Sequence, residues 1–407
     1  MAELSGFVKG VGQAGRWSAV ALGFSIPISV ALDNVLLAVV LFCYVAGGRY
    51  REKLAAIAAN PVFLAALALF GVLALAASYG PAPATDAARY LLKYVDLLCI
   101  PAIAAFFTDS RTRMLGLQAF GAAIAVTLVL SFALSVELLP QTTLLAKDPP
   151  YPVVFKHSLT HAVLVVFGVL LFSLLALYSG SRRTRIAWLA LAALAAANVL
   201  FLVPGRTAYV IFMALLLYAG FAWLRWKGLL AMIAVAALAT AITFNLSERF
   251  QERVRLAAHE YTSSDPLVAA KETNSVGLRL EFYRNSLEIV RDHPVFGVGT
   301  GGFHYAYAEQ VKGTGRLPTP NPHNEYLLIA VQTGLAGLVL LLCLFVLQLL
   351  RAQRVAKPLE THLACGLVIA MAVGCLFNSF LLDHTEGLLY AWFTGLLYGE
   401  LRTSPPA

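Results

Sequence analysis

Long apolar runs recur along this chain, and they constrain it more than any other feature. A helix needs about 20 apolar residues to cross the hydrocarbon core of a bilayer. Inside that core its backbone polar groups must be satisfied within the segment or by neighbouring protein. Twelve stretches read as such helices: roughly 17–31, 34–47, 61–79, 90–107, 114–136, 158–180, 186–203, 207–223, 228–244, 335–350, 362–381 and 387–401. The first two are short, and only Leu32, Asp33 and Asn34 separate them, so they also suit one broken hairpin. The first follows Lys9 and Arg16 without a clear small-residue cleavage site, which predicts an uncleaved anchor. Composition agrees: 59% of residues are hydrophobic and 13% charged, against roughly 25% charged in soluble domains. A soluble enzyme, a disordered chain and a secreted disulfide scaffold are excluded. The expected fold class is all-α, a polytopic transmembrane helical bundle of about 12 spans. Residues 1–244 carry spans 1–9, 245–322 form one large external loop, and 323–407 carry spans 10–12.

The charges orient these spans. The formal net charge is +8, which in a soluble chain would suggest nucleic acid. Here cytoplasmic loops account for it, because they accumulate Lys and Arg. With the N-terminus inside, 16 basic residues fall in cytoplasmic segments, 5 in short external ones and 9 in the loop 245–322. Long loops translocate regardless of charge, so the split of 16 to 5 predicts both termini in the cytoplasm. The long loop balances its 9 basic residues with 9 acidic ones. Two parts of it carry apolar residues at helical spacing: Phe250, Val254, Ala257 and Tyr261, then Leu280, Tyr283, Leu287 and Val290. Amphipathic helices there would lie on the membrane surface or lid a cavity.

Several chemistries find no motif. GVGTGG, Gly297 to Gly302, satisfies GxGxxG, but no βαβ unit surrounds it, so a glycine-rich turn between helical pieces is expected. There is no P-loop, DxD or HExxH. The five cysteines, Cys43, Cys99, Cys343, Cys365 and Cys375, lie in apolar runs without a CxxC, so redox or zinc chemistry is not expected. His157 and His161 share a helix face with no third ligand, which favours a capping or cavity-lining role over a metal. A transporter or lipid flippase would carry mid-span acids, and only Asp33 and Asp96 stand as such.

Two residues stand out. Arg206, in FLVPGRTAYV, sits at a tight external turn between apolar runs. A guanidinium there either snorkels to the interface or faces a cavity, where its planar fork suits an anionic headgroup. Arg89 and Lys93, one helical turn apart in ARYLLKYVD, and Arg279 in GLRLEFYR add external cations. His323 follows TPNP and opens HNEYLLIAVQTGLAGL, which places its imidazole at a helix N-terminus. It is either an interfacial histidine or a neutral base for a hydroxyl proton near neutral pH. Glu325, two residues on, points elsewhere on a helix and suits a first-turn acid.

Three segments together resemble the O-antigen ligase family of bacterial inner-membrane glycosyltransferases. They are PGRTAY around Arg206, LRLEFYRNSLEIVRDHPVFGVGTGGF from Leu278 through Phe303, and PHNEYLLIAVQTGLAG from Pro322 through Gly337. O-antigen polymerases and protein O-oligosaccharyltransferases share the pattern. The resemblance makes the long loop periplasmic. It implies an undecaprenyl-diphosphate-linked glycan donor and transfer to a sugar hydroxyl of lipid A–core, with inversion and without nucleotide, metal or other cofactor. By the same resemblance His323 is the general base, and Arg206 and Arg279 hold the diphosphate; from their place at another outer helix end, Arg89 and Lys93 could add to that positive site. Membrane lipids surround the chain and nucleic acid is not a partner. Gly334 and Gly337 match the motif's small positions, expected to serve helix packing.

Overall fold

A computed structural model describes residues 2–142, 145–246, 275–355 and 357–401. Among these every named element is a helix. In chain order they are α1 (Ala2–Ser25), α2 (Val30–Ala46), α3 (Tyr50–Ala59), α4 (Pro61–Ala76), α5 (Ala84–Lys93), α6 (Asp96–Ala104), α7 (Ser110–Ser135) and α8 (Ser158–Leu177). Then follow α9 (Arg182–Ala197) with a π-turn (Asn198–Leu202), α10 (Arg206–Leu246), α11 (Ser275–Asp292), α12 (Phe303–Gln310), α13 (Glu325–Ala352), α14 (Pro358–Gly374) and α15 (His384–Tyr398). The helix expected at 250–261 lies outside the described residues.

Helix starts are set by local chemistry. Asn60 accepts from Val62 N at 3.1 Å ahead of Pro61, Asp109 accepts from Thr112 N at 2.9 Å, and Asn324 accepts from Leu327 N at 3.0 Å. Each satisfies one of the amide donors that a helix leaves unpaired at its N-terminus. All twelve apolar stretches hold helix, and among the described residues five helices are long and apolar enough to cross a membrane, or six if α2 and α3, bent by 112°, count as one span.

Two stretches depart from a simple span. The run 90–107 is two helices, because the backbone turns at Tyr94 and Val95. The α5 piece is amphipathic, and α6 has only 9 residues, too short to cross alone. The runs 207–223 and 228–244 join into α10, which breaks at Arg225 (φ 54°, ψ −137°). A Cβ added to Gly228 would lie 2.0 Å from Gly220 O, although eight residues of straight helix span about 12 Å. The chain therefore folds sharply back on itself there.

The centre of the bundle is α15, whose residues Thr385 through Tyr398 are all buried. A helix apolar all round belongs inside. Trp392 and Phe393 pack edge to face at 4.8 Å, and Phe393 meets Phe167 of α8 at 4.6 Å. In lipid, such packing and interhelical hydrogen bonds hold helices together, since acyl chains are as apolar as Leu. Trp392 Nε1 donates to Ala19 O at 2.8 Å, fastening α15 to α1. At the end carrying the positive cluster SRTR, Arg113 is buried between Glu360 (3.0 Å) and Glu400 (3.1 Å). Asp33 is buried too, accepting from Ser25 Oγ at 2.5 Å and facing Lys156 Nζ at 3.6 Å, so it serves an internal pair.

Candidate functional site

Two connections carry the site: the strap 318–324 that leads into α13, and the turn 375–383 between α14 and α15. Glu325 joins them. Its amide donates to Cys375 O at 2.8 Å, and its carboxylate accepts from Leu381 N at 2.9 Å and from Tyr94 Oη at 2.9 Å. It is fully buried and clamps three elements, which is more than a first-turn acid does. The strap is fixed from α5 by Tyr90 Oη, which donates to Pro320 O at 3.0 Å.

His323 is half-buried and has φ 54°, in the left-handed region that residues other than glycine seldom occupy. Its surroundings over-determine that backbone. The His323 amide donates to Asn321 Oδ1 at 2.8 Å, and its carbonyl accepts from Tyr283 Oη at 3.1 Å. The ring stacks on Phe282, centroids 6.3 Å apart and planes at 28°. Strain held this way is found where a side chain has to be aimed.

The ring is also polarised. Asn378 Nδ2 donates to Asp383 Oδ2 at 3.2 Å, so its Oδ1 is turned towards His323 Nδ1, 3.1 Å away. That oxygen can only accept, so Nδ1 carries the proton and Nε2 keeps its lone pair. Burial pushes the Asp383 carboxyl up, while the Lys93 charge pulls against it. Carboxylate, amide and imidazole form a line that orients a base, with the amide as a spacer. Asn378 and Asp383 are not among the residues that stand out in the sequence. The signal was there in FNSFLLDH, a polar interruption between two apolar runs.

The expected cations divide. Lys93 is exposed on α5, near enough to Asp383 to bear on its charge and lying over the Tyr90 ring at 5.4 Å. Arg279 sits one turn before Tyr283. Burial pushes that phenol up, and Asn324 and the Arg279 charge oppose it. Both cations therefore gather at the His323 loop. Arg89 is exposed a turn away, 3.6 Å from Asp86. Arg206 is exposed at the start of α10. Tyr218 Oη lies 2.9 Å from His362 Nδ1, and Leu215 lies beside Gly366, so α10 and α14 run antiparallel. Arg206 thus heads α10 at the same bundle end as the turn 375–383, where helix amides also favour anions.

Other expectations shift. On α11 the buried side is Asn285, Ser286 and Ile289, with Phe282 packed beside them, whereas Leu280 and Leu287 face outward, 49% and 54% exposed. Of the expected apolar stripe, Leu280 and Leu287 therefore lie off the packed face, while Tyr283 and Val290 are half-buried, Val290 against the core. Asn285 has a buried partner in Tyr307 Oη at 3.1 Å, which lets a polar residue occupy it. The glycine-rich turn docks against a break in α13 at Gly334 (φ 68°, ψ −164°). Val298 N donates to Val331 O at 2.8 Å and Gly299 N to Gln332 O at 2.9 Å, satisfying carbonyls that the break releases. Gly334 is thus a backbone break, and it is also closely packed, against Val295 and Phe296 of the turn. His157 is exposed beside Asp148 at 3.2 Å. His161 is buried, held by Val154 and by Asn198 Oδ1 at 3.1 Å.

Comparison with known proteins adds two findings. Residues 191–342 match the O-antigen ligase family, a stretch that contains Arg206, Arg279 and His323 but not Arg89, Lys93, Asn378 or Asp383. An uncharacterized protein of Haemophilus influenzae is 26% identical over 172 residues, covering 39% of this chain and 41% of that protein. The matched region carries Arg206, Arg279 and His323 and is similar to the O-antigen ligase family, in a chain whose described residues include five helices long and apolar enough to cross a membrane.

Proposed function

We propose that this chain is an O-antigen ligase in the stricter sense. It moves a glycan from undecaprenyl diphosphate to a sugar hydroxyl of lipid A–core. The setting is a bacterial inner membrane, with twelve spans, both termini cytoplasmic and the loop 245–322 periplasmic. The observation that carries this is the His323 imidazole, whose Nδ1 proton is committed to Asn378 and whose Nε2 is left as a base amid Lys93 and Arg279. The acceptor hydroxyl oxygen attacks the anomeric carbon, and its proton passes to Nε2. The bond from that carbon to the diphosphate oxygen breaks, and the electron pair stays on the diphosphate. Arg206, Arg279, Lys93 and Arg89 counter the charge that develops there. Attack opposite the leaving group inverts the centre. The proposed step draws on no metal and no cofactor.

Reconstitution with undecaprenyl-diphosphate glycan and lipid A–core tests the assignment. Product on the core supports it, whereas longer lipid-linked chains would make the chain a polymerase. His323→Ala and Arg206→Ala should abolish transfer while insertion and folding persist, and chelator should change nothing. Normal transfer by either variant overturns the site assignment.

A further inference from the structure

We propose that the protein also has a carbohydrate-binding cavity, separate from the His323 loop, that holds sugar units remote from the reacting bond. This rests on the reading of the chain as a glycan transferase. The cavity measures about 490 Å³, and Tyr79, Tyr305, Asp292, His293, Glu309 and Gln310 bring polar or aromatic groups to it. That volume lies within the range of small-molecule sites, roughly 300–1,000 Å³.

Its frame is rigid. The floor includes Gly80 and Val298, packed so closely that a Cβ on Gly80 would lie 2.0 Å from Val298 O. Both phenols are tied at the hydroxyl: Tyr79 Oη donates to Phe296 O at 2.6 Å and Tyr305 Oη to Asp86 Oδ2 at 2.5 Å. Anchoring the tips fixes the rings without ordering cost at binding. Among the described residues, no hydrogen bond within the protein engages the side chains of Asp292 or His293.

The chemistry selects a sugar. Ring faces suit the C–H face of a pyranose, and carboxylate, imidazole and amide groups suit its hydroxyls. Among the described residues no Lys or Arg lines the cavity, while Asp292 and Glu309 do, Glu309 with Lys312 at 3.2 Å. The lining thus offers a phosphate no unpaired cation, and the diphosphate belongs with the cations near His323. Position agrees. Ile289 and Asp292 lie seven to ten residues along α11 from Phe282, on which His323 stacks. At about 1.5 Å per residue that is roughly 10–15 Å, a span that a short oligosaccharide covers.

The sugar can come from the donor glycan or from the acceptor oligosaccharide. The test is ligand-observed NMR on the full chain in nanodiscs. One probe is the oligosaccharide released from the lipid-linked donor, and the other is the core oligosaccharide released from the acceptor. One of the two should bind wild type and His323→Ala equally, and its identity names the source. Asp292→Ala should weaken that binding at least tenfold, and Ala306→Trp, which fills the cavity, should abolish it. Binding by neither probe, or unchanged binding in both cavity variants, overturns the proposal. The transferase reading fails separately, by absence of transfer in the reconstituted assay whatever the binding result.

Discussion

Replacing Asn378 by Ala tests the orienting line directly. The substitution removes the acceptor 3.1 Å from His323 Nδ1 and the donor to Asp383. While the imidazole acts as a base its ring is uncharged, and such a hydrogen bond contributes about 0.5–1.5 kcal/mol. As the ring takes a proton it becomes cationic, and the same bond is worth about 1.5–3 kcal/mol. Only the difference, about 1–2 kcal/mol, accelerates the chemical step. At about 1.36 kcal/mol per factor of ten, kcat should fall roughly 5- to 30-fold. KM for the lipid-linked donor should stay within about twofold, because Asn378 is not assigned to substrate. The assay is reconstituted transfer in proteoliposomes with donor varied at saturating acceptor. Full turnover by Asn378→Ala, or a loss confined to KM, would refute the orienting role.

Three more outcomes follow from particular contacts. Burial raises the Asp383 carboxyl, so its ionised form costs the fold stability above that raised value, and the cost vanishes below about 3.9, the unfolded value. Asp383→Asn should therefore turn over more slowly yet melt no lower than wild type at pH 7.5, the two curves converging towards pH 4; a lower melting temperature at neutral pH contradicts this. Arg113→Met leaves Glu360 buried without its partner at 3.0 Å and should cost about 3–5 kcal/mol, largely regained in Arg113→Met with Glu360→Leu, as read by tryptophan fluorescence melting in detergent. Gly334→Ala places a Cβ 2.1 Å from Val295 O on a backbone with φ 68°, in a region essentially restricted to glycine, so stability should drop by at least about 1–3 kcal/mol; unchanged protease resistance at 294–302 would argue otherwise.

The apolar runs made an all-helical membrane bundle legible before any coordinates, because apolarity over about 20 residues has few other uses. Arg206, Arg279, Arg89, Lys93 and His323 could be singled out as candidates, since charged and titratable residues are scarce in this chain and each one stands out; their roles are proposals. The helix face of α11 was not legible: a polar Asn285 inside depends on Tyr307, 22 residues on. The same holds for the partners of His323. Asn378 is 55 residues away and Asp383 further still, and only the turn between α14 and α15, clamped by Glu325, brings them to the ring. Local pattern records what each segment must bury or expose. Which buried polar group meets which is decided by tertiary packing, because a hydrogen bond or ion pair needs a partner within a few ångströms in space, wherever that partner lies in the chain.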